Sequence, residues 1–391
     1  MKKLLICNLF TFLFASTLCF SADIWDPQVS GTTQNLNSIF FLSTTSGFTV
    51  GNQGTLLSTS DGGNNWSPIS LGSSSNFRKV YFKSNSIGYI LSDDGKIFKS
   101  INGGSTWSSQ TIHTSGLNGI DFNGNNGIAV GDNGHVFHTS NAGETWIPFG
   151  TISVFAFNDV KFLNDTTAVI VGVQGKVFKT NDRGITWSPL SSGTTSTLSS
   201  IALKDTTYYV VGTNGTILSV APTLNKFTQE GTGLTANWLK TTVCTTDNYC
   251  YTAGTIASVL LNTGSSWEAK NLDENVNISS MYFANNNIGY TCGLGGVIYK
   301  TVSGGVNIKN TSLLQPRWKI SPNPVNSAVN LNIDTSTEGT LTMHNALGNL
   351  VLTKKIENST TSISLQHLSP GLYIAAFRSA NGTSVKKVIK N

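Results

Sequence analysis

Short runs of alternating apolar and polar residues, separated by Gly, Asn, Ser and Asp, fill the first three quarters of the chain. In one stretch, SIFFLS, GFTVG, GTLLSTS and NWSPI are four such runs, rich in β-branched and aromatic residues. This pattern predicts four short antiparallel strands joined by tight turns.

The same unit recurs seven times. Apolar residues open the copies at steps of 41, 40, 40, 41, 40 and 40 residues: Leu36, Phe77, Leu117, Phe157, Leu198, Trp238 and Ile278. A four-stranded unit cannot bury both of its faces alone, whereas stacking the units around an axis covers them. The sequence therefore predicts a seven-bladed β-propeller over residues 23–310. The segment IWDPQV at 24–29 precedes Leu36 by the interval that separates WSPI from Phe77, which predicts a strand donated to the last blade.

A second motif closes the first four units, at the predicted turn between the third and fourth strands. It reads TSDGGNNW, SINGGSTW, TSNAGETW and TNDRGITW. Asn replaces Asp in two copies, which would abolish a general acid but would preserve a turn. We therefore expect a structural role for these residues: Asp61, Asn102, Asn141, Asp182, Trp66, Trp107, Trp146 and Trp187.

This motif resembles the Asp box of sialidase-type propellers. The whole unit is similar to the repeat of the photosystem II stability and assembly factor family, over residues 25–305. That resemblance implies a seven-bladed propeller acting as a binding platform. Sialidases use three arginines, whereas residues 23–312 contain only Arg78 and Arg183, which excludes sialidase chemistry. The Arg-rich patch of the assembly factors is missing too, so photosystem assembly is not implied.

The predicted turns between second and third strands supply candidate binding groups. These turns share one face of the disc with the links between blades, which is the face on which propellers usually bind ligands. Amide and carboxylate groups there suit sugar hydroxyls or a peptide backbone. The candidates are Asn52, Gln53, Asp93, Asp94, Asp132, Asn133, Gln174 and Asn214.

Three of these candidates leave a catalytic alternative open. Asp93, Asp94 and Asp132 lie in adjacent blades, and glycosidases use two carboxylates about 5–10 Å apart. Trp238, by contrast, occupies an apolar column and is expected in the core rather than under a sugar. His135 and His138 would face opposite sides of a strand, so we expect no metal site and no cofactor.

The termini and the charge distribution indicate export. Lys2 and Lys3 precede an apolar run, which is typical of a signal peptide over residues 1–22. The formal charge is +5, but residues 23–312 hold 15 basic against 17 acidic residues, so nucleic acid is not expected as a partner. Cys244 and Cys250 flank TTDNY, a plausible hairpin turn, and a disulfide between them is possible.

After a linker at 311–319 the repeat gives way to alternating strands with Gly turns. Residues 320–391 predict a small immunoglobulin-like β-sandwich. Their motifs resemble the type A C-terminal sorting domain of type IX secretion substrates. The matching residues are Pro322, Asn323, Pro324, Gly371, Tyr373, Lys386, Lys387 and Lys390. The resemblance implies handling by the type IX machinery, a route through the periplasm, and release or attachment at the outer surface.

Taken together, the sequence predicts an all-β protein that is secreted or attached to the cell surface. We expect its propeller to be a binding platform for a protein or a polysaccharide, without catalysis. The alternative is a polysaccharide-active hydrolase or lyase that uses the carboxylates of the ligand face.

Overall fold

The computed structural model describes residues 25–305, except 222, 224, 225, 248, 265, 271 and 273–275, and residues 318–391, except 334–337, 346–348, 359, 380 and 381. The predicted signal peptide and most of the predicted linker lie outside the described residues. The chain divides into two compact units, residues 1–306 and 307–391. A search of the described part of the chain for a helix long and apolar enough to cross a membrane finds none.

The first unit consists of seven four-stranded antiparallel sheets, the blades of a β-propeller. In chain order its strands are β1 (Asp26–Gln28), β2 (Leu36–Phe41), β3 (Gly47–Gly51), β4 (Leu56–Thr59), β5 (Ser67–Pro68), β6 (Phe77–Phe82), β7 (Gly88–Ser92), β8 (Lys96–Ser100), β9 (Ser108–Thr111), β10 (Leu117–Asn123), β11 (Asn126–Gly131), β12 (His135–Thr139), β13 (Ile147–Thr151), β14 (Phe157–Phe162), β15 (Ala168–Gly172), β16 (Lys176–Thr180), β17 (Ser188–Ser191), β18 (Leu198–Lys204), β19 (Thr207–Gly212), β20 (Ile217–Val220), β21 (Thr228–Gln229), β22 (Leu239–Cys244), β23 (Cys250–Gly254), β24 (Val259–Asn262), β25 (Trp267–Ala269), β26 (Ile278–Phe283), β27 (Gly289–Gly293) and β28 (Ile298–Thr301).

The seventh blade is completed by the first strand of the chain. Strand β1 pairs with β28, with Asp26 opposite Lys300 and Gln28 opposite Ile298, so the blade runs β1–β28–β27–β26. This is the donated strand that the sequence predicts. The ring is thus closed by hydrogen bonds between the two ends of the propeller.

The core lies between neighbouring blades. The first residue of each innermost strand is fully or almost fully buried, from Leu36 in the first blade to Ile278 in the last. In the sixth blade this position belongs to Leu239, which pairs with Gly254 as Leu198 pairs with Gly212 in the fifth. The prediction of Trp238 in the core was therefore wrong. The link before blade six is one residue longer than a 40-residue count allows, and Trp238 is 43% exposed.

The innermost strands surround a central channel with a cavity of about 180 Å³. Side chains from neighbouring blades satisfy the N–H groups on the exposed edges of these strands. Asp121 accepts the backbone N–H of Phe162 at 2.8 Å, and Asp159 accepts that of Ile201 at 3.2 Å. The same two carboxylates pair with Lys161 and Lys79 at 3.2 and 3.3 Å. The two carboxylates and two ammonium groups therefore balance in charge. Their hydrogen bonds connect the inner strands of neighbouring blades.

The second unit is a β-sandwich with its own apolar core. One sheet is β29–β30–β33 and the other is β32–β31–β34–β35. The strands are β29 (Trp318–Ser321), β30 (Ala328–Ile333), β31 (Gly339–Asn345), β32 (Leu350–Ile356), β33 (Thr360–Ser364), β34 (Gly371–Ser379) and β35 (Gly382–Lys390). Alternating inward residues such as Leu341, Met343, Ala375 and Phe377 form the core, as the period-two pattern requires.

Candidate binding face

The turns between the second and third strands of the blades lie with the links between blades, on what we call the link face. The backbone N–H of Gln53 donates to the side chain of Asn76, and that of Gly54 donates to the carbonyl of Ser75. Residues 75 and 76 lead into the next blade. All eight ligand-face candidates named from the sequence belong to these turns, spread over five blades.

Backbone geometry explains why amide residues occupy four of these positions. Gln53, Asn133, Gln174 and Asn214 have φ between 53° and 58°, in the left-handed region. Asn is one of the few residues that enter this region readily without being Gly, and Gln at the same place is less usual. The amides are exposed, but the turn conformation by itself accounts for much of their occurrence.

The three carboxylates among the link-face candidates are engaged within the fold. Asp93 accepts bonds from the backbone and side chain of Asn76, at 3.0 and 2.7 Å. Asp132 receives Arg78 on both oxygens at 3.0 Å and also accepts from Asn118. Asn52, the remaining candidate of this set, likewise accepts from Asn37 at 2.9 Å.

Asp94 is held as an anion. Burial opposes the charge, but bonds from Lys96, Ser92 and Ser75 prevail and lower the pKa of Asp94 to about 2. A general acid in a glycosidase requires a raised pKa. This residue is therefore poorly suited to donate a proton near neutral pH.

Each Asp box forms a closed set of hydrogen bonds in the turn between third and fourth strands. In the fourth blade, Thr180 Oγ1 accepts the N–H of Gly184 at 2.9 Å and donates to Asp182 at 2.7 Å. Asp182 also accepts from the backbone and hydroxyl of Thr186. Asp61, Asn102 and Asn141 make the corresponding contacts in their own blades. Asp and Asn can both occupy this position, because the turn requires only one side-chain oxygen that accepts hydrogen bonds.

The box tryptophans pack against the phenylalanine that ends the innermost strand of their own blade. Trp66 meets Phe41 edge to face at 6.0 Å, and Trp107 meets Phe82 at 5.7 Å. Trp146 meets Phe122 in the same way, and Trp187 packs into the apolar cluster of blades three and four.

The seventh blade contains a fifth box of this type, divided between the two ends of the propeller. Thr301 Oγ1 accepts the N–H of Gly305 at 2.9 Å. The aromatic partner is Trp25, which meets Phe283 edge to face at 6.1 Å and is 4% exposed. The sequence signal for this box was the matched spacing of Trp25 and Trp66 from the strands that follow them.

The sequence did not identify one group of exposed apolar residues on the link face. Trp238, Ile256 and Leu294, on blades six and seven, form what we call the apolar strip. The indole N–H of Trp238 donates to Ser199 at 2.6 Å, and the ammonium of Lys240 lies 4.9 Å from the ring centroid. Most blades carry a Gly-x-x-Gly sequence in this turn, such as GDNG at 131–134, and the one available signal was GTIA at 254–257, where Ala257 replaces the second Gly.

The cysteines that the structure describes are a disulfide pair and one buried thiol, and two of the histidines pack against each other. Cys244 and Cys250 form a disulfide across the pair β22–β23. Cys292 is buried, which raises the pKa of its thiol to about 12. The ring of His135 lies 4.0 Å from that of His113, and burial lowers the pKa of His135. Within the described ranges, no three His, Cys, Asp or Glu side chains are grouped to hold a metal ion.

The residues named for sorting hold the last strand of the sandwich in place. Asn323, between Pro322 and Pro324, donates to the carbonyl of Lys387 and accepts the N–H of Ile389. Tyr373 is buried and donates to Ser369 at 2.8 Å. Lys386 lies over the ring of Trp318, and the ammonium of Lys390 donates to the carbonyl of Asn391. Gly371 opens β34.

Seven blades, five of which have an Asp-box turn, define the first unit as an Asp-box β-propeller. Residues 64–211 match the family described as photosynthesis system II assembly factor YCF48. Residues 319–391 match the family described as secretion system C-terminal sorting domain. Both resemblances predicted from the sequence are thereby confirmed. A type IX sorting domain marks the chain for secretion and attachment at the cell surface.

Solved structures support the same fold. YCF48 bound to D1 peptide is 19% identical, with a TM-score of 0.61 over 72% of this chain and 97% of that one. YCF48 from Cyanidioschyzon merolae is 18% identical, with a TM-score of 0.60 over 71% and 98% of the two chains. The WD40 β-propeller domain of Doa1, at 11% identity, gives 0.59 over 71% and 96%. A comparison with curated proteins found no match.

Proposed function

We propose that this protein is a non-catalytic binding platform at the bacterial cell surface, with a protein or a polysaccharide as its partner. The sorting domain carries it through the periplasm and across the outer membrane by type IX secretion, and the propeller presents the link face. The observation that carries the proposal is the contrast on that face. The candidate carboxylates Asp93, Asp94 and Asp132 accept hydrogen bonds from other residues of the propeller, whereas Trp238, Ile256 and Leu294 are exposed.

The bonding of the carboxylates weighs against the hydrolase alternative. A nucleophile or general base needs an oxygen that can turn toward the substrate, and both oxygens of Asp132 receive Arg78. Asp94 has a lowered pKa, which is the reverse of what an acid catalyst needs. One of the similar propellers is bound to a peptide, and we extend that kind of role to the present chain as a platform.

The test is to apply the full secreted chain to an array of glycans and polysaccharides and to a panel of displayed peptides, with analysis of any released fragments. We expect saturable binding and no cleavage. The double variant Asp93→Asn, Asp132→Asn should keep whatever binding is found, provided that its unfolding transition remains cooperative.

A matched double variant, Asp165→Asn with Asp205→Asn, removes two carboxylates from turns on the opposite face. Cleavage of a polysaccharide that disappears in the first double variant but persists in the second would overturn the proposal in favour of the hydrolase. Absence of binding to every glycan and peptide would overturn the platform itself.

A further inference from the structure

The loops that carry the apolar strip are hydrogen-bonded to one another across two blades. The carbonyl of Trp238 accepts the N–H of Thr255 at 2.9 Å, which places the turn of Ile256 beside the backbone of Trp238. The side chain of Asn277 accepts the N–H of Ile256 at 3.1 Å, and its carbonyl accepts that of Leu294 at 3.0 Å. Three adjoining loops therefore carry side chains that are 43%, 56% and 36% exposed, in the order Trp238, Ile256, Leu294.

The matching positions of the other blades are mostly polar. Ile256 is aligned with Gln53, Asp94, Asn133, Gln174 and Asn214, and Leu294 with Asn52, Asp93, Asp132, Val173 and Thr213. Large exposed apolar side chains that adjoin one another commonly mark an interaction site, whereas isolated ones need no explanation. The strip is thus a local departure from the rest of this face.

The backbone under the strip is strained. Ile256 and Ala257 have φ of 54° and 53°, where the other blades place Asn, Gln, Asp or Gly followed by Gly. A β-branched residue in the left-handed region is an outlier. Packing within the chain does not explain it, because more than half of the Ile256 side chain is exposed. Strain of this kind concentrates where a side chain has a role in binding.

A cation borders the strip. The ammonium of Lys240 lies over the Trp238 ring, and burial lowers the pKa of Lys240. None of the ion pairs found among the described residues includes Lys240. An incoming carboxylate would replace hydration that this ammonium has lost and would gain both the charge interaction and a hydrogen bond.

We propose that the apolar strip binds an extended segment of a partner protein in which a carboxylate adjoins a large apolar side chain. The apolar side chain packs against Trp238, Ile256 and Leu294, while the carboxylate pairs with Lys240. Sugar sites combine aromatic faces with hydrogen-bonding groups. Here the indole N–H is already used by Ser199, and two of the three exposed side chains are aliphatic. This inference rests on the proposed role as a binding platform and selects protein over polysaccharide.

The experiment is to pan a phage-displayed library of random 12-residue peptides on the full secreted chain and to measure the affinities of synthetic versions of the enriched sequences. We expect enrichment of Asp or Glu next to Phe, Trp, Leu or Ile. Trp238→Ala should weaken binding by tenfold or more, as for buried aromatic anchors in interfaces. Lys240→Gln should weaken it several-fold and reduce its dependence on salt.

The variant Ile256→Asn distinguishes an effect on peptide binding from an effect on folding. Asn relieves the left-handed backbone, so the variant should unfold at the same temperature as the parent or higher and yet bind several-fold more weakly. The matched control is Ile185→Asn, which changes an equally exposed isoleucine in an Asp-box turn on the opposite face and should leave the affinity unchanged.

Peptide binding that Trp238→Ala and Ile256→Asn leave unchanged would overturn this inference but not the platform. Glycan binding that is lost in Trp238→Ala, with no peptide enriched, would also overturn it while keeping the platform. Absence of binding to both peptides and glycans would overturn the inference together with the proposed function.

Discussion

At the scale of single residues, the left-handed turn position determines much of the amino-acid choice on the link face. Six blades place Asn, Gln, Asp or Gly there, with Gly following, and only the sixth blade in the chain places Ile256 and Ala257. The amide side chains at these positions resemble ligand-binding groups. Their occurrence is nevertheless explained largely by the left-handed backbone conformation that the turn requires. Ile256 is the exception, because the turn conformation disfavours a β-branched residue and therefore does not explain why isoleucine occurs there.

Replacing Ile256 by Asn should raise the stability of the propeller. Left-handed backbone in a β-branched residue costs on the order of 1–3 kcal/mol, and Asn removes part of that cost. We expect a gain of about 1 kcal/mol, measured by urea unfolding of parent and variant. A loss of stability would show that the isoleucine side chain contributes packing that its exposure does not reveal.

The stability contributed by Asp94 should depend on pH. Folding lowers the pKa of this carboxyl from 3.8 to about 2, because bonds from Lys96, Ser92 and Ser75 outweigh the effect of burial. A lowered pKa means that the contribution is complete above about pH 5 and is lost as the pH falls toward 2. Asp94→Asn should therefore reduce the free energy of unfolding at pH 6.

The difference between Asp94→Asn and the parent should narrow steadily between pH 5 and pH 2.5, as followed by urea titrations at each pH. A difference in the free energy of unfolding that stays constant over this range would contradict a role for the ionised Asp94 carboxylate. It would leave the altered hydrogen bonding of the Asn side chain as the cause.

At the scale of secondary-structure elements, the Asp box is a fastener that joins the third and fourth strands and positions a tryptophan over its own blade. The box hydroxyl takes the Gly N–H, and the acidic or amide oxygen takes the hydroxyl and the N–H four residues after it. The seventh blade assembles the same device from Thr301, Gly305 and Trp25. Because Trp25 directly precedes β1, its packing against Phe283 fixes the start of that strand on the seventh blade.

Trp25→Ala should destabilise the ring closure. The side chain is almost fully buried against Phe283, and removing a buried Trp costs about 3–5 kcal/mol. We expect a lower unfolding temperature and earlier proteolysis of β1. Val29→Ala, one residue beyond the same strand and highly exposed, is the control and should leave both measurements unchanged. Equal behaviour of the two variants would argue against closure through β1.

At the scale of the whole molecule, charge is divided unequally along the chain. Residues 23–312 hold 15 basic and 17 acidic residues, and residues 313–391 hold eight basic and three acidic ones. The first segment thus carries 15 − 17 = −2, and the second carries 8 − 3 = +5. Removal of the sorting domain would reverse the sign of the net charge that the exported chain carries.

Ion exchange can check this reversal. At pH 7.5 and low ionic strength, the secreted chain with its sorting domain should be retained on a cation exchanger, and the propeller released from it should be retained on an anion exchanger. Retention of the released propeller on the cation exchanger would reveal a basic surface patch that dominates its net charge. The same column run before and after proteolysis supplies the control.

Much of the fold follows from repetition. A 40-residue period, four β-rich runs per unit and the spacing of Trp25 predict seven blades and their closure, because each unit must bury its faces against copies of itself. The same repetition led to an error at Trp238. The count assumed links of constant length, whereas burial selected Leu239, one residue later, for the core position.

The site was less predictable. The sequence identified the link face and the residues on it, because strand order alone decides which turns share a face. It did not reveal that Asp93, Asp94 and Asp132 would be engaged, since their partners Asn76, Ser75 and Arg78 lie 17, 19 and 54 residues away. Nor did it reveal that the loops of Trp238, Ile256 and Leu294 would adjoin and leave these residues exposed.

The sequence by itself therefore determined the class of fold, the number of blades, the fastening turns and the sorting domain, all of which depend on short-range patterns that recur. Only the tertiary structure decided which polar groups are satisfied internally and which apolar groups remain exposed. Those outcomes depend on contacts between blades, and local pattern does not encode them, because bonding and burial are properties of the neighbours that the closed ring brings together.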